Sequence, residues 1–180
     1  MGALALQFAI LTAARSGEVR GARWSEIDLE AKLWRVPPER MKAGREHRVP
    51  LPASALELLV ELAKMRTDKD VEALIFPGAK PGKPLSDMSL TACLRRMKLG
   101  HLTAHGFRST FRTWTAEATA TPREVAEAAL AHVLGDKTEA AYQRGDMMEK
   151  RRKLMADWGT FCSRAAPASG EVVPFRAAAV

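Results

Sequence analysis

Six side chains in this 180-residue chain could act together on an anion: Arg15, Lys42, His105, Arg108, His132 and Tyr142. Two guanidiniums and an amine supply fixed positive charge, and two imidazoles can pass protons near neutral pH. The phenol belongs to the only tyrosine in the sequence. Any chemistry that needs a phenol must therefore use Tyr142.

The charge pattern points to the same kind of partner. There are 28 Lys and Arg against 21 Asp and Glu, a net +7 and a pI near 9.8. The excess lies in four segments, 15–23, 35–48, 95–112 and 144–153, which together carry +13 and leave the rest at −6. Segment 95–112 holds Arg95, Arg96, Lys98, Arg108 and Arg112 with no acid at all. Localised basic charge on an acidic background suits a polyanion such as DNA or RNA. The plainer reading is four solvated faces that never meet. Hydrophobic residues make up 47% and charged residues 27%, which excludes a disordered chain. Cys93 and Cys162 match no metal spacing and read as small buried hydrophobes in a reducing compartment. No stretch reaches the ~18 apolar residues of a membrane span. The apolar run over 3–14 has no basic residue before it and reads as a buried helix, not a signal peptide. A cytoplasmic protein with no membrane contact is expected.

The elements that must position these groups follow from periodicity. An apolar helix over 2–14 leads to a short one capped by Ser16. Alternating β-formers in IDL, LWRVP and HRVPL, between Ile27 and Leu51, predict three strands. The segment ERMKAGRE, with Gly44 inside, is a hairpin turn carrying Lys42. Ser54 to Glu57 reads as a capping box, with Leu56, Leu59, Val60 and Ala63 on one helical face. Residues 66–84 are a loop, and a helix from about Ser86 presents Leu90, Leu94 and Met97. In the next helix, from about Thr103 or Ala104, Phe107, Phe111, Trp114 and Ala118 share one face. His105, Arg108 and Arg112 gather on the adjacent face. A capping box at Thr121, with Pro122 at the first helical position, starts a helix that runs to about His132. A short helix over 136–143 bears Tyr142, and a last helix from Asp146 aligns Leu154, Trp158 and Phe161. The fold class is mainly α with a small antiparallel β-sheet. Residues 1–163 form one domain and 164–180 a disordered tail.

At four places, in order, the sequence resembles a known family: TAARSGEVR, RMKAGREHRVPL, TAHGFRSTF and LAHVLGDKTEAAYQR. Together they look like the catalytic domain of tyrosine recombinases, and most of all like integrases of prophages and genomic islands. The resemblance covers roughly residues 4–160 and ends on the only tyrosine. It implies site-specific recombination, the integration and excision of mobile DNA, by transesterification through a covalent 3′-phosphotyrosine. Such a reaction puts charge on two non-bridging phosphate oxygens, which calls for fixed cations. By the resemblance Arg15 and Arg108 are that clamp, and their planar forks suit it. Tyr142 is the nucleophile, a phenol that must be activated because it titrates near pH 10. Lys42 protonates the leaving 5′-oxygen, His105 assists proton transfer at the tyrosine, and His132 hydrogen-bonds the scissile phosphate. Glu18 orients Arg15. Arg40, Arg45, His47 and Arg112 are candidate contacts to DNA phosphates. No metal or cofactor is implied.

The implied partner is double-stranded DNA at attachment sites, bound by a homotetramer that is a monomer when free. The helix after Tyr142 is the element exchanged between protomers, with a helix packed on its own chain as the alternative. A bacterial or phage-encoded cytoplasmic protein follows. Family members place a core-binding domain, and often an arm-binding domain, ahead of this one, and both are expected to be absent from this chain. Each residue keeps an ordinary alternative. Arg15 could be a surface arginine, His105 a helix cap, His132 a stabiliser of a helix dipole and Tyr142 a core residue. Lys42 competes with Arg40 and Arg45 on the same turn. Two rival functions remain at this point: a non-catalytic DNA-binding module that kept the fold, and strand relaxation of the type IB topoisomerase kind.

Overall fold

A computed structural model describes residues 1–66, 69–132 and 146–164. The expected short helix with Tyr142, and the tail beyond 164, lie outside the described residues. The observed order is α1 (Gly2–Thr12), α2 (Ser16–Arg20), β1 (Ile27–Asp28), β2 (Leu33–Val36), β3 (His47–Pro50), α3 (Ala53–Met65), α4 (Ser89–Arg96), α5 (Gly106–Ala118), α6 (Arg123–Ala129) and α7 (Met148–Ser163). Short 3-10 turns cover Trp24–Glu26 and Pro38–Arg40. Helices dominate, and one three-stranded antiparallel sheet in the order β1-β2-β3 completes the fold. Its register pairs Ile27 with Trp34, Trp34 with Val49, and Val36 with His47.

Helix α1 has no polar face. Ala5, Leu6, Phe8, Ala9, Leu11 and Thr12 are all buried, and a helix that is apolar all round must be surrounded. It packs on α2, α3, α4 and α7. Phe8 stacks at a tilt on Trp34 and Phe76, with ring centroids 5.2 and 5.5 Å away. Each such ring buries about 150–250 Å², worth roughly 4–6 kcal/mol before entropy is counted. A second cluster joins Phe111, Val125, Leu130, Leu154 and Trp158. Trp158 donates its indole N–H to the Ile10 carbonyl at 2.8 Å, which ties α7 to α1. Gly159 lies so close to α3 that a Cβ there would fall 2.6 Å from the Pro52 Cβ.

Several local expectations change. Arg15, not Ser16, is the N-cap of α2, because Glu18 reaches back to the Arg15 N–H at 2.9 Å. Helix α3 starts after Pro52 with no side-chain cap, and its buried face is Ala55, Leu58, Leu59 and Leu62. The capping box at Ser54 does not form because the helix has already begun at Ala53, and Val60, expected to share a face with Leu59, is exposed. Helix α4 begins three residues later than expected, and Met97 is exposed. Helix α5 starts at Gly106, whose N–H is received by the Thr103 hydroxyl at 3.0 Å. Its buried residues are Arg108, Phe111 and Thr115, while Ala118 is exposed. In α6, Pro122 precedes the first turn, no side chain caps it, and the helix ends at Ala129.

Candidate active site

The turn between α1 and α2 places Arg15. Ala13 takes a left-handed conformation at φ +50°, which ends α1 and turns the chain toward Arg15. Glu18 then holds that arginine twice. One carboxylate oxygen takes the backbone N–H, and the other takes Nη1 at 2.8 Å. Glu18 itself is buried while Arg15 remains partly exposed. This is the geometry of an arginine aimed by a carboxylate beneath it.

Lys42 sits in the β2–β3 connection. The 3-10 turn after Pro37 leads to Met41, which is buried and plugs the core, so the next residue points outward. Gly44, at φ +62°, closes the turn with its N–H on the Met41 carbonyl. Lys42 and Arg45 are exposed. Arg40 is not: its guanidinium bonds the Glu26 carboxylate and the Glu18 carbonyl. That arginine, expected at a DNA phosphate, braces the hairpin against α2.

Arg108 holds the centre of the site. It is 5% exposed. Its Nη1 donates to the Ala13 carbonyl and its Nη2 to the Leu130 carbonyl at 2.7 Å. Both acceptors lie where α1 and α6 end, so the partial negative charge of two helix C-termini falls on one guanidinium. Burial, and then the neighbouring Arg15, push its pKa down to about 10, with Glu18 opposing them. It stays charged at neutral pH. The Nε atom of Arg108 is buried without a hydrogen-bond partner among the described residues.

Around this centre, Arg15, Lys42 and His105 line one open cleft of about 410 Å³ with Ser16, Glu18 and Arg20. His105 is the N-cap residue of α5 and is exposed. His132 lies beside Arg108, with its Nε2 3.5 Å from Nη2. Three of the six candidate residues thus share the cleft, Arg108 and His132 form an adjoining pair, and Tyr142 lies outside the described residues. His47 faces inward, its Nε2 donating to the Ala129 carbonyl at 3.2 Å. Desolvation, and then repulsion from Arg151, Arg108 and Arg15, hold it down to about 4, so it is neutral.

Arg112, expected as a phosphate contact, gives its Nε to Glu127 at 2.7 Å. Glu127 also accepts from His132 Nδ1 at 2.6 Å. Sequence reasoning passed over Glu127, and also Arg151, which is buried and bonds the Arg48 and Asp146 carbonyls. A signal for Glu127 existed: a carboxylate five residues before His132, near the end of a helix. Among the described residues no group of three His, Cys, Asp or Glu could hold a metal, and no helix is long and apolar enough to cross a membrane.

A mainly helical scaffold with one small antiparallel sheet agrees with what comparison with known proteins finds. The chain belongs to the phage integrase family, whose model matches residues 2–149. It is 39% identical over 166 residues to prophage integrase IntA of Escherichia coli strain K12, covering 91% of this chain and 39% of that protein. It is 32% identical over 178 residues to the integrase of Enterobacteria phage P4, covering 89% of this chain and 40% of that one. Prophage integrase IntZ of Escherichia coli strain K12 is 36% identical over 155 residues, or 86% of this chain and 38% of that protein. The chain therefore spans about two fifths of the length of these relatives. No solved structure matches it.

Proposed function

We propose that residues 1–163 are the catalytic domain of a site-specific DNA recombinase that cuts and rejoins strands through a phosphotyrosine at Tyr142. The observation that carries this reading is the cleft that brings Arg15, Lys42 and His105 together beside the buried fork of Arg108. A phosphodiester there meets two guanidiniums that are already anchored, one of them buried, so little reorganisation remains when charge develops on its oxygens. Arg15 is aimed by Glu18, and Arg108 by two helix ends. Lys42, on an exposed turn, can approach a leaving 5′-oxygen as a proton donor. Tyr142 gives up its phenol proton with the help of His105 as its oxygen bonds to phosphorus, the P–O5′ bond breaks, and the departing oxygen takes a proton from Lys42. The ester is then reversed by a 5′-hydroxyl of a second strand.

Phosphate clamps of this kind read no sequence by themselves. The substrate in this reading is double-stranded DNA at attachment sites, with four copies of the chain arranged on it. The test is a pool of nicked duplexes with random sequence around the nick. Loss of the short fragment traps the covalent product. A protein–DNA adduct that disappears in Tyr142→Phe is expected. Salt-sensitive binding without any adduct would overturn the proposal in favour of a non-catalytic binding module. Relaxation of supercoiled plasmid by a monomer, with no exchange between sites, would point to topoisomerase chemistry.

A further inference from the structure

We propose that Glu127 is a positioning residue that fixes the ring of His132, with the Nδ1–H donated to its carboxylate and Nε2 presented beside Arg108. This rests on the recombinase reading given above. Glu127 lies on the inner side of α6, and its side chain is 8% exposed. It holds His132 by two routes. Its backbone carbonyl accepts the His132 N–H at 3.0 Å, and Oε2 meets ring Nδ1 at 2.6 Å. The second oxygen, Oε1, takes Arg112 Nε at 2.7 Å, with Arg123 Nε at 3.9 Å.

Burial raises the Glu127 pKa, but the hydrogen bonds from Arg112 and His132 outweigh it and hold the carboxyl below its usual range. An ionised carboxylate only accepts hydrogen bonds. The proton in the 2.6 Å contact therefore sits on Nδ1. The remaining nitrogen, Nε2, is the one 3.5 Å from Arg108 Nη2.

This orientation limits what His132 can do. With a single ring proton, Nε2 carries a lone pair and accepts from Arg108. It donates to a phosphate oxygen only when the ring holds both protons, and Glu127 then carries the balancing charge. The groups around the ring among the described residues are Arg108 on α5, Arg112 on α5 and Arg123 on α6 through Glu127, and His47 on β3 through the Ala129 carbonyl. Arg15 acts electrostatically on Arg108. A neutral His132 with its proton on Nε2 could donate without this dependence, and Glu127 excludes that tautomer.

Two measurements on the 180-residue chain test the proposal. In the ¹⁵N-labelled wild-type protein, long-range ¹H–¹⁵N spectra at a pH where the ring is neutral should show the proton on Nδ1. A proton on Nε2 would overturn the idea, and this readout needs no variant that must fold. Single-turnover adduct formation on the nicked duplex pool should slow about 10- to 100-fold in Glu127→Ala, by analogy with carboxylates that orient metal-bound histidines. In a His132→Ala background the same substitution should change the rate less than about twofold, because the residue acts through the ring. An equal loss in both backgrounds would overturn the proposal. Failure of wild type to form any adduct, with the Nδ1 proton in place, would sink the recombinase reading and leave the ring orientation supported.

Discussion

Arg40 and Glu26 form an ion pair inside the protein, between the β2–β3 turn and the 3-10 turn before β1. Glu26 is 7% exposed and accepts the Trp34 indole N–H at 2.9 Å and the Arg23 N–H as well. Arg40 also bonds the Glu18 carbonyl, and its guanidinium lies over Gly21, where a Cβ would sit 3.2 Å from Nε. The chain of contacts runs from the sheet, through Arg40, to the residue that aims Arg15. The turn that carries Lys42 is thereby set relative to the α1–α2 turn.

Arg40→Ala should therefore destabilise the fold. Removing one partner of a buried pair costs about 3–5 kcal/mol when the other charge is orphaned. Glu26 keeps two other donors, so about 2–3 kcal/mol is expected. Urea unfolding should show a lower midpoint at an unchanged slope. A change under about 0.5 kcal/mol, the value of an exposed pair, would mean that Arg40 does not brace the hairpin.

His47 should make stability depend on pH. Its folded value, about 4, lies below the ordinary 6.5 because of burial and then the cations Arg151, Arg108 and Arg15. The unfolded chain thus binds the proton first. Stability contributed by the neutral ring is fully present above pH 6.5, falls as pH drops toward 4, and levels off below that. By pH 4.5 the loss from this group is about 2 kcal/mol after allowing for partial exposure. His47→Gln keeps a donor for the Ala129 carbonyl and does not titrate. Urea midpoints at pH 7 and pH 4.5 should fall further for wild type than for this variant. Equal losses would show that the ring is not held neutral.

The sheet and most helices could be read from local pattern, since strands such as LWRV are rich in β-formers even though Leu33 and Trp34 are both buried. The face of α5 could not. A helical wheel turns Phe107, Phe111, Trp114 and Ala118 inward because it treats every arginine as polar. Arg108 is buried instead, and its acceptors are carbonyls of residues 95 and 22 positions away. No local rule sees a partner that only the folded chain supplies. The same holds for Arg40 and Arg112, whose charge in the sequence suggested a DNA phosphate and whose carboxylates come from Glu26 and Glu127. Arg15, Lys42 and His105 were picked out from short motifs, and the fold brings these three side chains to one cleft. Pro52 overrode the cap at Ser54 for a simpler reason: the helix had already begun.

Gly159 sets the distance between α3 and α7. Alanine there would gain up to about 1 kcal/mol in helix propensity. Its Cβ would, however, stand 2.6 Å from the Pro52 Cβ and 3.3 Å from the Ser54 hydroxyl. Overpacking of this kind costs about 1–3 kcal/mol, so the net effect of Gly159→Ala is expected to be destabilising. Thermal unfolding read by tryptophan fluorescence checks it, since Trp158 is the adjacent residue. An unchanged or raised Tm would mean that the two helices separate without cost.

Lys42 is the residue whose role chemistry can isolate. It is exposed on the β2–β3 turn, so Lys42→Ala should leave the urea midpoint within about 0.5 kcal/mol of wild type. In the proposed reaction its effect falls on the cleavage step. Loss of a general acid lowers that step by about 10²- to 10⁴-fold when an alkoxide must leave. A duplex with sulfur in place of the bridging 5′-oxygen has a leaving thiolate that needs no proton. On that substrate Lys42→Ala and wild type should cleave at similar rates, while Arg108→Ala should remain slow, because the charge on the non-bridging oxygens is unchanged. If sulfur rescues neither variant, Lys42 acts on the ground-state complex through phosphate binding. If it rescues both, the proton donor is not Lys42 alone, and Arg108 contributes to the leaving group as well.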